Sequence, residues 1–572
     1  KELIALNIEE KKILWKFKSL KKIDSRGMSL WINKKNLDSS CIFLPIRNGL
    51  FCINYKNGKL NKNIGNSGFI KTGIVRAAPV IWNDYVIVAT VDSQKVKYFD
   101  LKNGKKAFEL NIHPEDRQFQ GGSPWGGISI DQKNNLLFLT TGNPRPALLG
   151  SFRKGSNKNA NSVIAIDLKK KEIAWSFQEV SHDLWDYDIA SPPLLTTIRI
   201  NEKLLDVVIV TTKIGNTFIF DRLTGNSFHD IFYDNVPLSD FSQEEISPKQ
   251  INLKIPEPLI KLETSKYDLD DRIIAEKQNI IENIDKYKFG KFVPPSFKKD
   301  VLVYGLHGGT QWPGGVFNPY TQNVYVQVNQ IPWLLKLFVS SNRQPPENFN
   351  KNYELYIDNC SKCHKENREG IYITKDEKVI RNVPSLIKIF ENKYQDYKIF
   401  EETVIKKNYI DIDNNNLKKI HDLFLQWDKE IINHNDYKIN FQWSQFLYSD
   451  NLPATKPPWG EIVSINTIDG KINWRVPNGY INDKKVGTSN FGGLIGTAGE
   501  LIFATGTEDK KIIALNTNNG EEVWAYDMIA AGSTAPITFE IDNKQYLAVI
   551  ASGGRYHNYT KSNGELYIFS LK

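Results

Sequence analysis

Sulfur is scarce in this chain: four cysteines and two methionines, Met28 and Met528, among 572 residues. Four thiols exclude the dense disulfide framework of a small secreted scaffold, and a chain of this length does not need one. No run of 18 or more apolar residues occurs, so no helix able to cross a bilayer is predicted. Charge of one sign is not concentrated either. The 74 Lys and Arg against 65 Asp and Glu leave +9 spread along the sequence, and Lys169-Lys170-Lys171 falls at a predicted turn, so a nucleic-acid partner is discounted. What is present, 41% hydrophobic and 12% aromatic residues, is the composition of a globular protein with a large core. The chain begins at Lys1 inside a repeat copy, and an N-terminal segment is expected ahead of it.

The repeat is eleven residues ending in Trp: ALNIEEKKILW from Ala5, AIDLKKKEIAW from Ala165, SINTIDGKINW from Ser464 and ALNTNNGEEVW from Ala514. Weaker copies start at Cys52, Tyr98 and Ile219, and the starts are separated by 47, 46, 67, 54, 245 and 50 residues. Each copy reads as strand, polar turn with Gly or Asn, strand, with the Trp packing between neighbouring units. YVIVAT at Tyr85 and LLFLTTG at Leu136 supply inner strands, and a further unit from Gly314 inside the long gap brings the count to eight blades.

Between about Val339 and Asn440 the β pattern stops, and Cys360-Ser361-Lys362-Cys363-His364 lies within it. With four Cys and eight His in the chain, this spacing would arise by chance on the order of 3 times in 10,000. Two thiols on one turn reach both vinyl groups of a haem and place the adjacent imidazole of His364 under the iron, so a covalent haem c is predicted. Helical patterns at YELYIDNC and NNNLKKIHDLFLQWD fit a small cytochrome. No Met lies in this segment; His421, His434 and Lys407 are the candidates for the sixth ligand, or the iron is five-coordinate, and His421 is expected on an exposed polar helix face. Cys41 and Cys52, eleven apart on adjacent predicted strands, are expected to be buried small hydrophobes.

The Trp-ended repeat resembles that of the quinoprotein dehydrogenases, eight-bladed propellers that bind pyrroloquinoline quinone (PQQ), and the likeness covers nearly all of the chain outside the insert. The absence of adjacent cysteines favours their sugar and polyol branch, since the alcohol branch carries a vicinal disulfide. The resemblance implies a role for each of several residues. In HDLWDYD, Asp186 matches the general base; in TTKIGN, Lys213 matches the Lys that hydrogen-bonds the quinone; in GGSPWGG, Trp125 matches the Trp that stacks on it. Thr141 and Asn143 of TTGNP match a stretch supplying cofactor and metal ligands, Asp92 and Ser93 match a metal-binding Asp-Asn, and Asp188 adds a carboxylate for Ca²⁺ or another divalent or lanthanide ion. Arg26 matches a cofactor-side Arg, Asp509 a family Asp, and His307 and Trp312 the substrate funnel, while Lys22 stands where the family has His.

The fold expected is therefore an all-β, eight-bladed propeller over 1–340 and 446–572 with an α-helical cytochrome c domain inserted at 341–445 and a helical insertion at about 239–296. The function expected is PQQ-dependent oxidation of a sugar, polyol or alcohol. Electrons would pass through the haem to a soluble cytochrome or respiratory quinone in the periplasm. A non-catalytic propeller scaffold carrying a haem is the alternative, and a simple alcohol dehydrogenase is disfavoured by Lys213.

Overall fold

Each strong repeat forms two antiparallel strands around a tight turn, as in Ser162–Asp167 with Glu172–Gln178, Gly460–Asn466 with Ile472–Pro477, and Lys511–Asn516 with Glu522–Asp527. An Asp or Asn ends the first strand and its side chain caps the turn: Asp167 Oδ1 accepts from the backbone N–H of Lys169 and Lys170, each at 2.9 Å. Four residues after that Asp or Asn the backbone enters the left-handed region, where Gly470 and Gly520 both sit at φ 72° and Lys171 at φ 61°. The closing Trp docks on the corresponding glycine of the next repeat. Trp175 covers Gly225, and its Nε1 donates to Arg222 O at 3.2 Å; Trp474 covers Gly520 and donates to Thr517 O at 2.9 Å. A Cβ at Gly225 would lie 2.6 Å from the Trp175 ring, so the glycine serves both its φ of 73° and the close approach.

This computed structural model describes every residue except 1, 22, 24–25, 242, 311, 342–349, 365–367, 369–370, 376–377, 384–385, 387–395, 407–411, 431–436, 555–563 and 572. The chain is mostly β, 41% strand and 11% helix. Among the described residues there are eight sheets of three or four strands and four two-stranded ribbons. Sheets such as Ser29–Trp31 to Phe69–Lys71 and Leu494–Gly496 to Glu522–Asp527 run in sequence order, and the first strands of successive sheets touch: Ser29–Trp31 against Val80–Trp82, that strand against Ile128–Asp131, and that one against Leu194–Ile200. Burial concentrates in the middle strands, such as Leu136–Thr140 and Asn323–Asn329, and the apolar clusters lie between neighbouring sheets.

Two expectations are corrected here. Cys41 and Cys52 are a disulfide rather than free buried thiols: their strands, Cys41–Ile46 and Gly49–Asn54, pair so that the two Cα atoms lie 5.2 Å apart. The 239–296 segment is only partly helical. Lys249–Leu253 returns beside Ile231–Asn235 as a ribbon, and a single α-helix, Ile274–Glu282, follows among its described residues.

The insert leaves and re-enters on neighbouring strands. Pro332–Ser341 pairs antiparallel with Tyr437–Gln445, from Trp333 opposite Gln445 to Ser341 opposite Tyr437, so the strand ending at 445 belongs to the sheet. Both ends of the excursion lie side by side, which lets an independent unit be accommodated without breaking the ladder.

Candidate active site

The segment after Glu172–Gln178 is shaped by one buried carboxylate. Asp183 accepts at 2.8 Å from the backbone N–H of Trp185 and of Tyr187, and at 2.9 Å from Asn161 Nδ2, while the Arg153 guanidinium donates to its carbonyl. Trp185 is fully buried and donates to Val293 O at 2.8 Å, with Tyr187 stacked on it. Clamped on both sides, the intervening Asp186 takes φ 63°, a left-handed conformation that non-glycine residues rarely adopt, and its carboxyl stands out from the loop.

Lys213 meets that carboxyl from the loop after the strand Lys203–Thr211. Its ammonium donates to Asp186 Oδ2 and to Asp188 Oδ2, each at 2.9 Å, and to Asp186 O at 2.7 Å. Gly305 and Gly309 let neighbouring backbone close over it, since a Cβ on either would lie within 2.4 Å of Lys213 O. Burial pushes the Asp186 carboxyl up against the pull of Lys213, and Asp188 reinforces the rise. Burial alone would lower the Lys213 ammonium, but Asp186 and Asp188 together outweigh it and hold the lysine above its usual range. Two carboxylates share one ammonium, which leaves this floor with a net negative charge.

Behind the floor sits Glu179, 1% exposed, whose Oε1 accepts from Thr212 Oγ1 at 2.8 Å and Asn216 Nδ2 at 2.9 Å. Burial pushes its carboxyl up to about 8, against those two hydrogen bonds, and pushes Asp183 up to about 6. Both brace the loops that carry Asp186 and Lys213.

A cleft of about 660 Å³ opens onto this floor, lined by Trp125, Gly142, Asn143, Asp188 and Asp92 among others. Trp125 Nε1 donates to Asp188 Oδ1 at 3.3 Å, and the Arg26 guanidinium lies over the rings of both Trp125 and Trp312, at 4.4 and 4.7 Å from their centroids. Asn143 donates its backbone N–H to Asp188 Oδ1 at 2.5 Å and its amide Nδ2 to Asp186 Oδ1. Turning that amide over would present its oxygen beside Asp186 Oδ1, adding an amide oxygen to the two carboxylates, oxygen donors of the kind a hard cation takes.

The structure thus brings together Asp186, Asp188, Lys213, Asn143, Trp125 and Arg26. Other predicted residues are placed elsewhere or spent on structure. Thr141 is fully buried, its hydroxyl donating to Asn159 O at 2.7 Å and accepting from Ser162 N at 2.9 Å. Asp92 lines the cleft, with Oδ1 accepting from Ile74 N at 3.1 Å, but among the described residues no three His, Cys, Asp or Glu gather, so it does not join the floor carboxylates as a ligand set. Asp509 caps its own turn, accepting from Thr507 Oγ1 at 2.5 Å and from Tyr480 N at 3.0 Å. His307 packs on Trp333, ring centroids 4.2 Å apart. Lys22 lies outside the described residues. Arg76, Arg117 and Arg145 also line the cleft; sequence reasoning passed over them because an isolated Arg in a loop carries no spacing signal.

The Cys360 segment is separate. Cys360 and Cys363 are not disulfide-bonded and lie on consecutive helical turns, Ile357–Ser361 and Lys362–His364. Burial, with Cys363 nearby, pushes the Cys360 thiol up to about 12. Cys360 packs against a core of its own, Tyr356, Phe400, Leu417, Ile420, Leu423, Phe424 and Trp427, most of it from the helix Asn414–Glu430. His421 is corrected from exposed to buried: it is 3% exposed, against Tyr397 and Phe400. His434 and Lys407 lie outside the described residues. Paired thiols and an adjacent imidazole beside an apolar core suit a covalently held haem.

Comparison with known proteins agrees with the β architecture. The family described as "PQQ: Glucose/ethanol/alcohol dehydrogenase, beta-propeller domain" matches residues 1–382 and 401–547. Quinoprotein glucose dehydrogenase of Escherichia coli (strain K12) is 23% identical, over 93% of this chain and 63% of the relative; the glycerol dehydrogenase large subunit of Gluconobacter thailandicus is 23% identical, over 94% and 69%. This chain therefore spans about two thirds of the length of these curated relatives. The crystal structure of quinohemoprotein alcohol dehydrogenase from Comamonas testosteroni superimposes with a TM-score of 0.59 at 16% identity, covering 100% of this chain and 71% of that one, a likeness of fold. With the family match extending over most of its length, this chain belongs to the PQQ-dependent glucose/ethanol/alcohol dehydrogenase β-propeller family.

Proposed function

We propose that this protein oxidises a hydroxyl group of a sugar, polyol or other alcohol in the cleft above Asp186, and that its eight larger sheets are the blades of an eight-bladed propeller. The observation that carries the reading is the buried triad in which Lys213 bridges Asp186 and Asp188 beneath Trp125. When bound, PQQ supplies the two-electron acceptor, with a divalent or lanthanide ion held by Asp186, Asp188 and Asn143 as Lewis acid.

Every other task falls to side chains of this chain. Asp186 accepts the substrate hydroxyl proton; burial raises its basicity while Lys213 keeps it ionised, the balance a general base needs near neutral pH. The Lys213 ammonium, its three N–H groups taken by Asp186 O, Asp186 Oδ2 and Asp188 Oδ2, places a fixed positive charge beside oxygens that gain charge during the reaction. Trp125 offers a flat apolar wall for the cofactor ring, and Asp183 and Glu179 keep the loops from relaxing.

Cys360, Cys363 and His364 would hold a haem c that passes electrons singly to a soluble cytochrome or a respiratory quinone, a relay supported by the placement of both cysteines and the histidine on consecutive helical turns and by a fold neighbour that is, by its title, a quinohemoprotein. A periplasmic location is part of the proposal, supported by the Cys41–Cys52 disulfide, which suits an oxidising compartment.

The test is dye-linked oxidation of aldoses, linear and cyclic polyols and short alcohols, with PQQ and Ca²⁺ added or withheld. Asp186→Asn should lower kcat/KM by about 10³-fold while PQQ still binds. Absence of PQQ binding and of turnover across the panel would replace this reading with a non-catalytic scaffold.

A further inference from the structure

The segment from 239 to 296 carries none of the chemistry above, yet it grips the Asp186 loop from outside. It is first closed on itself: Asp240 Oδ2 accepts from Lys288 Nζ at 3.1 Å and from Ser296 Oγ at 2.5 Å, and the Phe241 and Phe297 rings meet edge-on with centroids 5.4 Å apart. From this base three groups reach the loop. Gln250, 1% exposed, takes Ser181 by both backbone groups, accepting from its N–H at 2.9 Å and donating to its carbonyl at 2.7 Å. The carbonyl of Val293 accepts from Trp185 Nε1 at 2.8 Å. Glu244 Oε2 accepts from the backbone N–H of Gly150 at 3.0 Å, and its Oε1 lies 3.8 Å from His182 Nε2.

The Glu244–His182 contact calls for a shared proton. His182 Nδ1 lies 2.8 Å from Gly155 O, and a carbonyl only accepts, so Nδ1 carries hydrogen. Nε2 and Glu244 Oε1 are both buried with no hydrogen-bond partner among the described residues. Two bare acceptors facing each other away from water would be costly, and a proton on either one turns the contact attractive. No side chain fits at Gly150, where a Cβ would overlap both the His182 ring and the Glu244 carboxyl. The gripped stretch is also strained: His182 and Asp186 both hold left-handed backbone, at φ 52° and 63°, which an unrestrained loop would leave.

We propose that Glu244 and Gln250 are positioning residues, which clamp His182 and Ser181 and thereby hold the Asp186 carboxyl at the angle at which it receives the substrate proton. The inference rests on the function proposed above for what Asp186 does, and on the contacts alone for the clamp. Glu244 acts through reach and hydrogen bonding rather than through charge, because it must span from its own loop to Gly150 and His182 together.

Two substitutions separate reach from charge. Glu244→Gln keeps the length, an oxygen for Gly150 N–H and a donor for His182 Nε2; Glu244→Asp keeps the charge and falls one methylene short. Hydrogen exchange of the full chain, followed by mass spectrometry, reads the clamp without turnover: in Glu244→Asp and in Gln250→Leu the amides of residues 181–188 should exchange about 10-fold faster, with those of Leu136–Thr140 unchanged, and Glu244→Gln should match the unsubstituted protein. Loaded with PQQ and Ca²⁺, the two loosened variants should lose about 10-fold in kcat with KM for the hydroxyl substrate unaltered, and Glu244→Gln should retain kcat. A purely structural role would lower the unfolding midpoint and leave kcat per folded molecule as it was. Unchanged exchange in Glu244→Asp, faster exchange with unchanged kcat, or an equal loss in Glu244→Gln overturns the proposal. Absence of turnover in the unsubstituted protein overturns the proposed function instead, and the exchange rates then decide the clamp by themselves.

Discussion

The floor of the cleft and the Cys360 segment are built on opposite plans. The floor assembles Asp186 and Asp188 from one loop, Lys213 from another and Trp125 from a third, with bonded partners 25 (Asp188 and Lys213) and 63 (Trp125 and Asp188) positions apart in sequence, and locks them with a second layer of buried polar groups. The Cys360 segment keeps its chemistry in five consecutive residues, and its tertiary structure only has to present an apolar surface beside them. A distributed site gains rigidity and a tuned charge balance, but any member can disturb the others. A contiguous site is robust to its surroundings and tunes little.

The widest separation should come from Cys360→Ala/Cys363→Ala: covalent haem, read by haem staining of the denatured band, should vanish, while PQQ binding in the β domain is unchanged. Loss of PQQ binding too would mean that the regions are not independent.

Lys213→Met should destabilise the protein by about 3 kcal/mol at pH 8, because it strands two buried carboxylates. The penalty should shrink toward pH 5 as Asp186 protonates, since a carboxyl raised in the folded state contributes stability at low pH and loses it as pH rises. Urea unfolding at both pH values measures this, and a pH-independent penalty would assign Lys213 to packing alone.

Glu179 gives a narrower test of the supporting layer. With its folded carboxyl near 8 and an unfolded value in the ordinary glutamate range, the unsubstituted protein should lose stability as pH climbs from about 5 to 8. Glu179→Gln removes that proton and should flatten the unfolding midpoint across the window; an unchanged slope would place the titration elsewhere. Smallest of all, Lys171→Gly should stabilise by about 0.5–1 kcal/mol, because Lys171 holds the left-handed turn position that Gly470 and Gly520 hold in other repeats. A thermal melt reads it, and destabilisation would show that the lysine side chain matters more than its backbone.

Much of this was legible in the chain. The Trp-ended repeat announced both the strand pairs and the Trp docking because strand alternation, turn chemistry and the closing Trp recur at fixed local offsets. HDLWDYD and TTKIGN marked the floor for the same reason, through their likeness to a known family. Three things were not legible. Strand register, which joins Cys41 to Cys52, is fixed by pairing over a whole hairpin and cannot be counted off from an eleven-residue spacing. The helix face that carries His421 is set by what packs against it, here Tyr397 and Phe400 from another segment. The arginines of the cleft wall come from loops far apart in sequence, and only folding brings them to one cavity.

By itself, then, the sequence determined the repeat, the β class, the cysteine-histidine motif and the identities of the floor residues, since each is written in local periodicity or in contiguous residues. Only the tertiary structure decided which of the candidate ligands share a point in space, which carboxyls are pushed up by burial, and which charges face a common cleft. Those depend on distance and on exclusion of water, and neither is a property of any short stretch of chain.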